Sequence, residues 1–166
     1  MRLRSFPPIA GKDARILILG SMPGTASLAA NRYYAHPHNA FWPIMGRLLG
    51  FDPAAPYARR VAALKAARIA IWDVLRSCVR EGSLDASIED ETANNFTAFF
   101  RAHPRLMHVF FNGAKAESSW RRHVPSPIGR ALCFTRLPST SPAHAALPRS
   151  RKLAAWRAIL KAEEPT

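Results

Sequence analysis

Three short segments carry most of the side chains able to do chemistry. Tyr33-Tyr-Ala-His-Pro-His-Asn-Ala-Phe-Trp42 gathers aromatics, two histidines and Asn39 around the start of a helical pattern. An aromatic face such as that of Tyr34 can stack on an unstacked nucleobase, worth ~1–3 kcal/mol. The Asn39 carboxamide can donate to and accept from a base edge or a water, and it can also act as the N-cap of the helix. Phe41 and Trp42 read as core residues, and Tyr33 can serve either role. His36 and His38 have no third ligand in view, so no metal site is expected.

Gly20-Ser21-Met22-Pro23-Gly24 follows a short apolar run. Its glycines would let a ligand approach the backbone closely. No Lys-Ser/Thr pair follows, which excludes a Walker loop, and Ser21 is not centred in Gly-x-Ser-x-Gly, which excludes a nucleophile elbow. The third segment is Leu137-Pro-Ser139-Thr140-Ser141-Pro142-Ala143-His144, with Arg149, Arg151 and Lys152 close behind. Hydroxyls between prolines make a stiff loop that can hold phosphates through side chains and backbone amides. Asp73 and Asn112 each end an apolar run, and each can serve a pocket or simply turn the chain.

Charge points to the partner. The 166 residues carry a formal net charge of +13, enough to attract a polyanion, with nucleic acid the leading candidate. Between Arg101 and Lys161 Glu117 is the sole acid among twelve basic residues, so the C-terminal half is the expected DNA-facing side. Arginine predominates, which suits phosphate recognition. Two cysteines cannot build a Cys-rich metal or iron–sulfur site and read as reduced core thiols. No run approaches the ~18–20 apolar residues of a membrane span, and the N-terminus shows no signal-peptide core, so a cytoplasmic protein is expected.

These loops need a scaffold. Apolar runs at Arg15–Leu19, Arg68–Trp72, Met107–Phe111 and Leu132–Leu137 read as buried strands. Helical patterns begin at Asn39, ending at Gly50, and cover Tyr57–Ala67, Ala93–Ala102 with Thr92 as cap, Ala114–His123 and Arg151–Lys161. Residues 20–38 and 138–148 read as loops, 73–91 as an extended polar connection, and Pro125-Ser-Pro127 as a local turn. Alternation of strands and helices predicts one domain over residues 1–166, a three-layer α/β/α sandwich around a mainly parallel four-stranded sheet. In such sheets ligands sit beyond the carboxyl ends of the strands, where the three segments fall.

Taken together and in this order, the three segments resemble the uracil-DNA glycosylase superfamily, most of all its hypoxanthine-DNA glycosylase branch, family six. Gly20–Gly24 looks like its first motif, Leu137–Pro142 like its second, and Tyr33–Trp42 is similar to a segment shared with the mismatch-specific enzymes. The resemblance runs from about Arg15 to Ile159. It implies a monofunctional DNA glycosylase, working as a monomer, that flips a deaminated base from DNA and hydrolyses its N-glycosidic bond. Hypoxanthine is the first choice of base, with uracil or xanthine as alternatives. Asn39 would be catalytic, contacting the base and positioning water. Gly20, Ser21, Met22, Pro23, Gly24, Tyr34, Asp73 and Asn112 would form the base pocket. His36, Ser139, Thr140, Ser141, Pro142, Ala143, His144, Arg149 and Lys152 would meet DNA. No lysine sits in the pocket loops for a Schiff base, and no metal or organic cofactor is implied.

Two departures matter. Better-known branches place Asp or Asn before the proline of the first motif, where this chain has Met22, and classical uracil enzymes begin the second motif with His, where it has Leu137. Neither can polarise water. They sustain the alternative of a catalytically silent nucleic-acid-binding module on the same fold.

Overall fold

The computed structural model describes residues 2–125 and 130–163. In chain order its elements are β1 (Arg2–Arg4), β2 (Ile16–Gly20), α1 (Thr25–Ala30), α2 (Phe41–Leu49), α3 (Tyr57–Ala66), β3 (Ile69–Asp73), β4 (Leu75–Val79), β5 (Glu89–Ala93), α4 (Phe96–Ala102), β6 (His108–Asn112), α5 (Ala114–His123), β7 (Cys133–Leu137), α6 (Arg149–Trp156) and α7 (Ala158–Glu163). The four apolar runs pair as a parallel sheet in the order β3-β2-β6-β7.

Every residue of β2 and β3 is buried, which is why both read as unbroken apolar runs. Alternation along β2 divides the core in two. Leu17 and Leu19 pack with Phe96, Phe99, Phe100 and Trp120 of α4 and α5. Ile16 and Ile18 pack on the other face with Phe41, Ile44, Leu64, Trp156 and Ile159 of α2, α3, α6 and α7. This is the expected three-layer arrangement. β7 is the exposed edge, buried only at Leu137, and the far edge of β3 is partly covered by an antiparallel bridge from Ile9 to Ile71.

Local patterns misplaced several boundaries. The extended connection expected over 73–91 contains β4 and the start of β5, which join β1 in an antiparallel sheet of order β1-β4-β5. Arg2 helps to tie it, donating to Ser77 Oγ and Thr92 Oγ1. Such pairing across more than seventy residues leaves no local periodic mark. Thr92 therefore lies in a strand, and the α4 cap is Asn95, whose side chain accepts from Ala98 N. The loop expected over 20–38 holds α1. The final helix begins at Arg149 and is interrupted at Arg157. The turn expected at Pro125-Ser-Pro127 falls largely outside the described residues.

Candidate active site

Parallel register brings the sequence candidates into one row. Gly20 is the strand partner of Asp73, and Asn112 that of Leu137, with β2 and β6 joined through Leu19 and Phe111. All lie at the carboxyl edge, beside a cavity of about 300 Å³. That is the lower end of the ~300–1,000 Å³ usual for small-ligand sites. Gly20–Gly24, Tyr34, His36, Asn39, Asp73, Asn112 and Ser139–His144 all line it. Arg149 and Lys152 do not.

Asp73 dominates the floor. It is 4% exposed, and its Oδ2 is buried without a hydrogen-bond partner. Burial first, then the charge of Asp85, push its carboxyl up to about 7 against a lesser pull from Arg80. Gly20 makes room for it: a Cβ there would sit 2.6 Å from Asp73 Oδ1 and 3.3 Å from the Tyr34 hydroxyl. Only glycine fits.

Tyr34 adopts φ +55°, a left-handed conformation that is costly for an aromatic residue. Its ring stacks on Phe41 at 3.9 Å and 22°. One face is therefore already covered, so a base could use only the other. Its hydroxyl accepts from Asn112 Nδ2 at 3.3 Å, and burial together with Asp73 raises its pKa, keeping it protonated.

Asn39 is not the N-cap of α2; Ala40 is. Instead its Oδ1 accepts from the N–H of Phe41 at 2.9 Å, an Asx turn one residue earlier. That leaves the Nδ2 amide N–H group as the end available to a ligand. Ala40 N donates to Thr140 O at 3.0 Å, joining this segment to the third loop.

The third loop divides in two. Ser139 and Thr140 are 9% and 1% exposed and serve the interior. Ser139 Oγ accepts from Ser141 N, and Asn112 Nδ2 donates to Thr140 Oγ1. Pro142, Ala143 and His144 form an exposed 3-10 turn capped by Ser141, whose side chain accepts from Ala143 N. Trp156 Nε1 fixes the loop's base by donating to Pro138 O at 2.9 Å. His36 and Arg149 are exposed, as a phosphate contact requires. Lys152 is 5% exposed. Its stem packs inside, so it is not the surface cation that its sequence neighbours suggested.

The sequence reading missed the wall formed by Ser83, Leu84 and Asp85. Ser21 Oγ donates to Asp85 Oδ1 at 2.7 Å, and Ser83 Oγ accepts from Thr25 N at 2.8 Å. Beneath them the buried Arg80 donates to Gly82 O and Pro23 O. The only local signal was a Gly-Ser pair in a polar stretch. Among the described residues no cluster of His, Cys, Asp and Glu could hold a metal ion, and no helix is long and apolar enough to cross a membrane.

A family model described as the uracil DNA glycosylase superfamily matches residues 7–162. The chain belongs to that superfamily. Two relatives named hypoxanthine DNA glycosylase come from Methanosarcina barkeri and Methanosarcina acetivorans. The first is 37% identical, covering 97% of this chain and 99% of its own; the second is 34% identical, covering 95% and 98%. The solution NMR structure of a candidate uracil DNA glycosylase from M. acetivorans superposes with a TM-score of 0.78, at 34% identity over 96% of this chain and 99% of that one. Within the superfamily frame, the two departures become structural. Met22 and Leu137 are 7% and 3% exposed and pack into opposite core clusters. Polar groups lining the cavity include Asn39, Asp73, Asn112 and the Tyr34 hydroxyl.

Proposed function

We propose that this protein is a monofunctional DNA glycosylase that removes a deaminated base, hypoxanthine first, from DNA. The observation that carries this reading is that a buried, unpartnered Asp73 oxygen and the Asn39 amide, whose Oδ1 is held by the Phe41 N–H, line one cavity on the carboxyl edge of the sheet. Superfamily membership and the names of both Methanosarcina relatives point the same way.

Hypoxanthine and uracil share a lactam edge, an N–H beside a carbonyl. A protonated Asp73 can donate to that carbonyl while accepting from the N–H, as a neutral carboxylic acid does in an apolar site. Tyr34 supplies a stacking face, and Asn112 holds its hydroxyl in place. As the glycosidic bond breaks, negative charge grows on the departing base and positive charge on the sugar. The Asn39 amide N–H is a fixed donor for that negative charge, which suits it better to stabilising the leaving base than to accepting a proton from water. The exposed 142–144 turn, His36 and Arg149 would meet the backbone, and extrusion would be easiest for a mispaired base.

The test is direct. Duplexes containing inosine, uracil or xanthine are incubated with the protein and then treated with alkali to break abasic sites. Cleavage at inosine is expected. Duplex binding without cleavage at any of the three would instead establish the silent binding module.

A further inference from the structure

A second cavity, of about 330 Å³, shares a wall with the first: Tyr33, Tyr34, His36 and Asn39 line both. Its own character is basic and aromatic. The Arg60 guanidinium lies 4.8 Å from the Trp42 ring centroid and 5.5 Å from that of Tyr57, and Arg32 lies 5.4 Å from Tyr57. All three distances are within cation–π reach, so two like charges share one ring. No acid lines this cavity, and neither guanidinium forms an ion pair among the described residues. Asp52, next in the chain to the lining Pro53, turns its carboxylate to Ala54 N instead. Arg60 Nε donates to Ala55 O at 2.9 Å, which engages one of its three nitrogens. Burial lowers the Arg60 pKa, Tyr57 opposes that, and the charge of Arg32 adds to it. The guanidinium still stays charged. The same two rings also hold the shared wall. Tyr57 Oη accepts from Tyr33 N at 3.0 Å, and Trp42 Nε1 donates to Tyr33 O at 2.9 Å. Tyr33 directly precedes Tyr34, whose φ of +55° has to be held by its surroundings.

We propose that Arg32 and Arg60 bind one phosphodiester of the DNA strand that carries the extruded nucleotide. The choice of strand rests on the glycosylase reading above. A nucleotide seated in the first cavity brings its own backbone to the shared wall. Each strand carries one charge per ~3.4 Å of helix axis, so the neighbouring phosphates fall beside the second cavity. An anion between the two guanidiniums relieves their repulsion, and the arginine fork matches phosphate oxygens. The rings hold both heads in place beforehand, so little side-chain entropy is lost on binding. Because these rings also bond the Tyr33 peptide, the contact positions the shared wall and does not touch the bond that breaks. The site lies outside the C-terminal stretch to which the charge of the sequence pointed.

The experiment measures fluorescence anisotropy on duplexes carrying a tetrahydrofuran abasic analogue, which offers no base to release. Neutral methylphosphonate linkages replace the phosphates around it one at a time. For wild type, one linkage on the analogue's strand should weaken binding about ten-fold. Arg32→Gln combined with Arg60→Gln should bind the unmodified duplex about as weakly and ignore that linkage, with a salt slope lower by about 1. Arg32→Lys combined with Arg60→Lys should keep the wild-type slope. A double-glutamine variant as sensitive as wild type at every linkage overturns the proposal. So does weaker binding with slope and linkage pattern unchanged, which marks a purely structural role, and so does a sensitive linkage found only on the opposite strand. Inorganic phosphate, titrated against chloride at equal ionic strength, tests for a free-anion site. Competition by phosphate with no sensitive linkage overturns the DNA contact. Absence of base release from inosine duplexes would instead sink the glycosylase reading alone.

Discussion

Asn112 and Thr140 hold each other through a reciprocal pair of hydrogen bonds: Nδ2 donates to Thr140 Oγ1 at 2.9 Å, and Thr140 N donates to Asn112 Oδ1 at 2.9 Å. The pair joins the end of β6 to the loop after β7. Thr140 O then accepts from Ala40 N, so the residue next to Asn39 hangs from the same point. A displacement at Thr140 would reach Asn39 through one peptide unit. Asn112→Ala strands a buried donor and hydroxyl and should cost about 1–3 kcal/mol in urea unfolding. Thr140→Val keeps the backbone bond and should cost less. Equal stability of Asn112→Ala and wild type would contradict this coupling.

Asn39 has two ends with separate tasks. Asn39→Asp keeps an oxygen for the Phe41 N–H but exchanges the donor for an acceptor. Excision by both Asn39→Asp and Asn39→Ala should fall by about 10²–10³-fold, with duplex affinity largely kept. Circular dichroism should show Asn39→Asp folded as wild type. Full activity in Asn39→Asp would remove the donor from the mechanism.

Asp73 makes excision depend on pH. Its carboxyl titrates near 7 instead of at the ordinary 3.8, so the neutral form is lost as pH rises through 7. Burial raises it most, the charge of Asp85 raises it further, and Arg80 lowers it. The wild-type rate at inosine should decline from pH 6 to 8, and the Asp73→Asn profile should be flat. Stability has the same sign. The native state holds this proton more tightly than the unfolded chain, so Asp73 erodes stability as pH rises from about 4 to 7. Asp73→Asn should therefore raise the melting temperature at pH 8 and leave it nearly unchanged at pH 4.

Glu91 behaves in the opposite way. Burial alone would raise its pKa, but bonds from Lys115, Ser119 and His123 hold it at about 2. Its contribution is present above pH 4.5 and disappears as pH falls toward 2. Glu91→Gln should cost about 1–3 kcal/mol near neutrality, with the difference from wild type shrinking across that acid window. Thermal melts at several pH values measure it.

Salt titration separates the two basic residues placed near DNA. Arg149 is exposed, and Arg149→Ala should lower the slope of log affinity against log salt by about 1. Lys152→Ala, at a position only 5% exposed, should lower stability and leave the slope unchanged. Fluorescence anisotropy at several salt concentrations distinguishes them.

Much of the scaffold was legible because its signals are local. The runs Ile16–Gly20 and Ile69–Asp73 are buried on both faces, so nothing polar interrupts them. Gly50, at φ +80°, ends α2 where the helical pattern was expected to end. Gly20–Gly24, Tyr34, Asn39, Asp73 and Asn112 could all be nominated because each follows or flanks such an element. β4 was not legible: Arg76, Ser77 and Cys78 break its alternation, and its ladder bonds come from β1 and β5.

By itself, the sequence determined the basic charge, the alternation of strands and helices, and the set of polar residues at strand ends, since these depend on composition and near-neighbour periodicity. Tertiary structure alone decided what each group faces. It paired Gly20 with Asp73 and left Oδ2 without a donor, turned Lys152 inward, stacked one face of Tyr34 on Phe41, and brought Leu84 into the lining of the cavity. The physical reason is that burial, desolvation and hydrogen-bond partnership depend on atoms far away along the chain, and only the packed fold brings those atoms within reach.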